Sequence, residues 1–155
     1  MFSIVIPSYN NLNYLKLCIK SILKNSINKH EIVVHVNEGS DGTLEYVKSN
    51  NFKYTFSIKN VGLCTAINSS VKISSMKYIL YSHDDMYFCP AWDKYLLDEI
   101  SNIGHGNFYL SGTMIEANSG HITFNCGESI ETFDESKLLL NYNNLTFYDH
   151  QGTHF

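Results

Sequence analysis

Hydrophobic positions along the first hundred residues switch between two periods. Phe2 to Ile6 is a continuous apolar, β-branched run closed by Pro7, the pattern of a parallel strand buried on both faces. Ser8 to Asn11 is a polar turn in which Asn11, or Asn13 just beyond, can cap a helix. Leu12, Leu15, Ile19, Ile22 and Leu23 then recur at helical spacing, with Lys16, Lys20 and Lys24 on the opposite side. A second strand is expected over Glu31 to Val36, a helix over Thr43 to Lys48, and a third strand over Tyr54 to Ile58. Leu63, Ile67 and Val71 mark a helix from about Leu63 to Ser74, and Tyr78 to Tyr81 is a short run suited to a buried strand. Pro90 suits the first position of a helix that Trp92, Tyr95, Leu96 and Ile100 carry onward. Strand and helix in strict alternation imply a mainly parallel sheet with crossover helices, an α/β fold.

The pattern then changes. Phe108 to Ile115 and His121 to Cys126 read as two strands joined through Asn118-Ser119-Gly120, a turn signal that suits a hairpin. The sheet is therefore expected to be partly mixed toward the C-terminus. Phe133 to Leu140 reads as a last helix, with Asp134 and Glu135 at its N-terminus, where negative charge is favoured. Asn141 to Phe155 has no clear period. No repeat, linker or low-complexity tract interrupts the chain, so residues 1–155 are expected to form one domain, with 1–97 and 98–155 as unlike halves.

Composition narrows the function. Eleven Lys, no Arg and fifteen acidic residues give a formal net charge of -4, without the basic stripe that nucleic-acid phosphates demand. No apolar run reaches membrane-spanning length, and the N-terminus lacks the basic flank of a signal peptide. Cys18, Cys64, Cys89 and Cys126 form no C-x-x-C pair and read as buried free thiols of a cytoplasmic protein.

Four polar loops fall at the ends of the four expected parallel strands: Pro7 to Asn10, Asn37 to Thr43, Asn60 to Gly62, and His83 to Met86. In an open parallel sheet these ends share one edge, where ligands bind. Neither G-x-G-x-x-G nor G-x-x-x-x-G-K-[ST] is present, so the edge is neither a standard dinucleotide site nor a P-loop. Asp84 and Asp85 are adjacent acids at a strand end. Such a pair can hold Mg²⁺ or Mn²⁺ together with substrate phosphates. With Lys59 the nearest cation, a diphosphate at this edge would need metal to offset its charge.

Four segments together carry a resemblance: Ser3-Ile-Val-Ile-Pro-Ser-Tyr-Asn10; Glu31-Ile-Val-Val followed by Gly39-Ser-Asp-Gly-Thr43; Asn60-Val-Gly-Leu-Cys-Thr-Ala-Ile-Asn68; and Tyr78-Ile-Leu-Tyr-Ser-His-Asp-Asp85. In order and spacing they resemble family 2 glycosyltransferases of the GT-A fold, over roughly Met1 to Leu97. The resemblance implies a nucleotide-sugar donor site. Pro7, Ser8, Tyr9 and Asn10 would lie beside the base and ribose, with Asn60 and Gly62 in the adjoining loop. Glu38 would contact the base, Asp84 the ribose or the metal-bound diphosphate, and Asp85 would ligate Mn²⁺ or Mg²⁺. Transfer would go to an acceptor hydroxyl of a glycan, lipid or protein, with inversion.

The chain departs from that pattern in three places. Asn37-Glu38 stands where the family usually has Asp-Asp, His83 replaces the first acid of the Asp-rich strand end, and no segment after Asp85 matches the acceptor half. The chain therefore resembles a short or truncated member. Glu116, Glu128, Glu131, Asp134 and Asp149 are stand-ins for the missing general base, each also readable as a solvated acid. His150 and His154 have the i,i+4 spacing of metal ligands or of coincidence. Two readings follow: a metal-dependent sugar transferase, or a nucleotide-sugar-binding or structural module that needs a partner chain or has lost turnover. A nucleotidyltransferase ranks lower, because Pro7 to Asn11 offers neither glycine nor a cation.

Overall fold

The computed structural model describes residues 1–118 and 122–145, which form two compact units, Met1–Asn102 and Ile103 onward. In the first, β1 (Phe2–Tyr9), β2 (Glu31–Asn37), β3 (Lys53–Ser57) and β4 (Tyr78–Tyr81) form one sheet in the order β3-β2-β1-β4, with every pair parallel. Helices α1 (Leu12–Asn25), α2 (Thr43–Ser49), α3 (Leu63–Val71) and α4 (Trp92–Ile103) follow the strands in turn. The sheet grows from β1 toward β3, then α3 carries the chain back to the other side of β1. The reversal makes the carboxyl ends of β1 and β4 a topological switch point, where an open α/β sheet forms its ligand crevice.

The core lies where the apolar runs placed it. Ile4, Val5, Ile6, Val33, Val34 and Val36 are fully buried, as are Leu15 and Cys18 of α1 and Val47 of α2, with Ile19 and Ile22 almost so. Buried apolar area of this kind is the main driving force for forming the layers.

Three local expectations are corrected. Pro7 does not end β1; the strand continues to Tyr9, with Pro7 paired to His35 of β2. Pairing of β1 with β4 stops at Val5, whose carbonyl accepts from Ser82 N. Pro7, two residues on, turns its missing N–H toward the side β4 has left, so no ladder bond is lost. β4 itself is half-exposed rather than buried: among the described residues it pairs with β1 alone, and Ile79 and Tyr81 keep 44% and 40% of their surface. Pro90 precedes α4 by two residues. Ala91, held at φ +61, completes the turn, its N–H bonded to the Asn25 carbonyl.

An unanticipated centre ties α4 to the loop before β2. The Asp93 carboxylate is fully buried and accepts from Ile27 N, Asn28 N, Asn28 Nδ2 and His30 Nε2, all at 2.8–3.0 Å. His30 Nδ1 accepts from Phe2 N, and its ring packs with Phe2 and Trp92. Burial pushes the Asp93 carboxyl up, but these donors outweigh it and hold it down at about 2. Glu31 behaves alike. Burial raises it, while Lys53, Ser3 and Ser75 bring it down to about 2, joining β1, β2, β3 and the turn before β4.

Among the described residues of the second unit, the expected hairpin is not formed. Phe108 to Met114 is irregular, and of the described residues there only β5 (Ile115–Glu116) and β6 (Ile122–Thr123) pair, in parallel. The bonds Ile122 N to Met114 O and Phe124 N to Glu116 O have the slanted parallel pattern. Of the expected turn, Ser119 and Gly120 lie outside the described residues. Helix α5 (Glu135–Asn141) starts as expected, with Asp134 as its N-cap accepting from Lys137 N at 2.8 Å. All four cysteines are free thiols. Cys18 and Cys126 are buried, Cys89 is half-buried, and Cys64, contrary to expectation, is exposed on α3. Among the described residues, no helix is long and apolar enough to cross a membrane.

Candidate functional site

Each strand of the sheet ends in a loop on the same edge, and the loops close around a cavity of about 380 Å³. It is lined by Pro7, Ser8 and Tyr9 at the end of β1, Asn10 and Asn11 after it, Asn37 at the end of β2, Asn60, Gly62 and Leu63 after β3, and Asp84 after β4. Seven residues expected at a ligand site thus meet at one place: Pro7, Ser8, Tyr9, Asn10, Asn60, Gly62 and Asp84. Glu38 is not in the lining, although Asn10 Nδ2 donates to its carboxylate at 3.3 Å. Asp85 is an exposed neighbour of Asp84 and also lies outside the lining.

The loops are cross-bonded rather than merely adjacent. Asn10, at φ +47, sends Nδ2 to Glu38 while its Oδ1 accepts from Ser40 N at 3.0 Å. Asn11 occupies the N-cap position of α1 but does not cap it; its Nδ2 donates to Asp84 Oδ1 at 3.0 Å instead. The capping falls to Asp41. Its Oδ2 accepts from Leu12 N at the start of α1, and its Oδ1 from Thr43 N and Thr43 Oγ1 at the start of α2. One carboxylate thereby serves two helix N-termini, whose unsatisfied N–H groups and dipoles both favour an anion. Gly39 closes the β2 loop at φ +70, and a Cβ there would stand 2.6 Å from Val36 Cγ1, so the turn admits only glycine.

Asn37 was read from the sequence as the start of a polar strand-end loop and as a departure from Asp, and the structure shows why an amide suits it. It is 4% exposed, at the end of β2 and in the wall of the cavity. Its Oδ1 accepts from Val61 N and from Ser57 Oγ, both at 3.0 Å. Ser57 therefore accepts from His35 Nε2 (3.2 Å), and His35 Nδ1 accepts from Thr55 Oγ1 (2.7 Å). Burial lowers the His35 pKa, which keeps the ring neutral as this one-way relay requires.

Asp84 is partly sheltered, and burial pushes its carboxyl above the ordinary range; the charge of Asp85 pushes the same way, against bonding to Ser8 and Asn11. The Ser8 hydroxyl is buried and close enough to favour the charged form, but among the described residues it completes no hydrogen bond of good geometry. A pair of adjacent carboxylates, one short of solvation, is a hard oxygen donor set that a divalent cation would relieve. Among the described residues no three His, Cys, Asp or Glu side chains gather as an all-protein cage. His83 Nε2 is within 2.9 Å of Tyr81 Oη, on an exposed part of the same turn.

The acids proposed as stand-ins for a general base mostly serve their own unit. Glu128 accepts from Asn118 and Asn125, Glu131 from Ser129, and Asp134 caps α5. Glu116 is half-buried in β5. Asp149, His150 and His154 lie outside the described residues.

Comparison with known proteins agrees with this arrangement. Uncharacterized glycosyltransferase RP339 of Rickettsia prowazekii is 38% identical over 91 residues, 57% of this chain and 28% of its own. An uncharacterized glycosyltransferase of Rickettsia bellii is 28% identical over 148 residues, 90% of this chain and 21% of its own. The chain therefore spans about a quarter of these relatives. Among solved structures, S. aureus TarS 1-349 in complex with UDP superposes with a TM-score of 0.59 at 25% identity, covering 65% of this chain and 32% of that one. The mannosyltransferase PcManGT of Pyrobaculum calidifontis, in complex with GDP-Man and Mn²⁺, superposes with a TM-score of 0.51 at 18% identity, covering 61% and 30%. Residues 3–153 match the profile described as Glycosyl transferase family 2. The converging strand-end loops, the parallel sheet and this match over nearly the whole chain agree: the chain belongs to glycosyl transferase family 2 and has the GT-A fold.

Proposed function

We propose that the cavity is the donor site of a sugar transferase. It would take a nucleoside-diphosphate sugar, with the diphosphate held at Asp84 and Asp85 through Mn²⁺ or Mg²⁺ and the sugar passed to an acceptor hydroxyl with inversion. The carrying observation is the meeting of Pro7 to Asn11, Asn37, Asn60, Gly62 and Asp84 around one cavity. UDP in the TarS complex supports the ligand class.

Tyr9, half-exposed on the wall, offers a face on which a base can stack. The polar groups of Asn10, Asn60 and Asp84 can position ribose and phosphate oxygens. Glu38, tethered by Asn10 outside the lining, acts on the base only from the rim. Asp84 and Asp85 would hold the divalent ion, which when bound would offset the charge that grows on the leaving group. Asn11 keeps the Asp84 carboxylate oriented for that ion, because its amide donates to Oδ1.

The test is titration calorimetry of the chain with UDP- and GDP-sugars, with and without Mn²⁺. Metal-dependent binding that weakens at least tenfold in Asp85→Ala is expected. No binding of any nucleotide, or an unaltered Asp85→Ala, would overturn the reading.

A second reading has its own observation. Glu128, Glu131 and Asp134 are committed to bonds within their unit, and the chain spans about a quarter of its relatives. A binding module completed by a partner chain would bind donor yet show neither transfer nor donor hydrolysis by itself. Steady release of UDP from a UDP-sugar would dismiss it.

A further inference from the structure

We propose that the outer flank of α1, with the loop that follows it, is a docking surface for an anionic lipid bilayer. The proposal does not depend on what the cavity binds.

Charge is the first observation. The chain has a net charge of -4, yet residues 12–30 hold Lys16, Lys20, Lys24 and Lys29 and no Asp or Glu. All four lysines are exposed. A helix turns about 100° per residue, so Lys16, Lys20 and Lys24 fall within an arc of about 80°, opposite the buried Cys18 and Ile22. The helices that touch this flank do not cancel it. Lys16 Nζ sits 5.4 Å from the Tyr46 ring of α2, where exposed Glu45 and Lys48 offset each other. Trp92 of α4 donates to Ser26, and on α4 Lys94 pairs with Asp98. That leaves Asp93, enclosed by its four donors, and Glu99 as the opposing acids of α4. The acids elsewhere in the chain conceal this flank in the overall charge, and folding gathers it on one side.

The second observation is apolar. Leu23 and Ile27, four residues apart among these lysines, leave 62% and 64% of their surface exposed. An acidic protein or a nucleic acid would use the cations alone. Aliphatic tips set among lysines fit a surface that is anionic outside and hydrocarbon beneath. The lysine stems lie along such a surface while their ammonium groups stay level with the phosphates. Position is the third observation. Asn11, at the N-terminal end of α1, lines the cavity, whereas Leu23 and Ile27 lie at the other end. A bilayer under that end leaves the cavity open.

The experiment is sedimentation of the full chain with vesicles of phosphatidylcholine alone and of equal parts phosphatidylcholine and phosphatidylglycerol. Binding to the mixed vesicles only is expected, and it should be lost in roughly 1 M salt, where the screening length is about 3 Å. Lys20→Gln with Lys29→Gln should weaken it about thirtyfold, since each lysine near an anionic surface is worth about fivefold. Leu23→Ser with Ile27→Ser should weaken it about tenfold. These side chains are exposed, so melting temperatures should hold; should one variant misfold, the other and the salt series decide. No binding to either vesicle, equal binding to both, or unchanged binding by the lysine variant would overturn the proposal. Unchanged binding by the aliphatic variant would overturn it too, because the flank would then be an ionic surface for any polyanion, an acidic protein included. None of these outcomes bears on nucleotide binding, which calorimetry tests separately.

Discussion

Asp93 has no exposed surface yet is ionised, since four N–H donors surround its carboxylate. Asp93→Ala should cost about 3 kcal/mol, measured by urea unfolding, because it leaves those buried donors unmatched. The same carboxyl predicts acid lability. Its pKa falls from 3.8 unfolded to about 2 folded, so its contribution of roughly 2 kcal/mol is complete above pH 3.8 and is lost as pH falls toward 2. His30 acts in the same direction. Burial lowers its pKa below 6.5, so acidification below that value favours the unfolded chain. A melting series from pH 7 to pH 2 should show the midpoint falling first below about 6.5 and again below about 4. A series without the second fall would sink the account of Asp93. None of this was legible in the sequence: Asp93 reads as an ordinary acid in the first turn of a helix, and its partners are more than sixty residues away.

At the scale of elements, periodicity located the helices and strands of the first unit to within a few residues, because apolar side chains must face the sheet whatever else happens. It misjudged how elements end. Asn11 looked like the cap of α1, but its amide goes to Asp84, and Asp41 in another loop does the capping. Asp41→Ala therefore removes the cap of two helices at once. A loss of about 2 kcal/mol is expected, twice a typical single cap, with weaker nucleotide binding because Leu12 and Thr43 hold the loops around the cavity. Denaturant unfolding checks the first part and calorimetry the second; a loss within 0.5 kcal/mol, the usual range for a surface substitution, would show that the carboxylate bridge is unimportant. The failed hairpin has a related cause. Strand-like runs joined through Asn-Ser-Gly describe what a segment could do in isolation, whereas β5 and β6 are two residues each and pair in parallel rather than antiparallel.

At the scale of the whole molecule, charge bears on how a diphosphate is held. The net charge is -4, and among the described residues no Lys lines the cavity. Binding of UDP should therefore require the divalent ion. Addition of EDTA should abolish most of the rise in melting temperature that UDP with Mn²⁺ produces, and Mn²⁺ in excess should restore it. A rise equal with and without chelator would mean that protein groups alone neutralise the phosphates. The family assignment was legible beforehand because four short motifs keep their order. The site itself was legible as four polar loops on one edge, since parallel strands with crossover helices bring their carboxyl ends to the same side.

By itself the sequence determined the alternation of strand and helix in the first unit, the buried runs of β1 and β2, and the set of loops able to meet a ligand. These follow from local periodicity and from the rule that parallel strands end together. The tertiary structure decided the rest: Pro7 inside a strand, an Asp84 carboxyl short of solvation, Asp41 shared by two helices, and an Asn37 amide that faces one way only. Each depends on which distant donor or neighbour arrives at that atom, and residue order does not encode that in any local pattern.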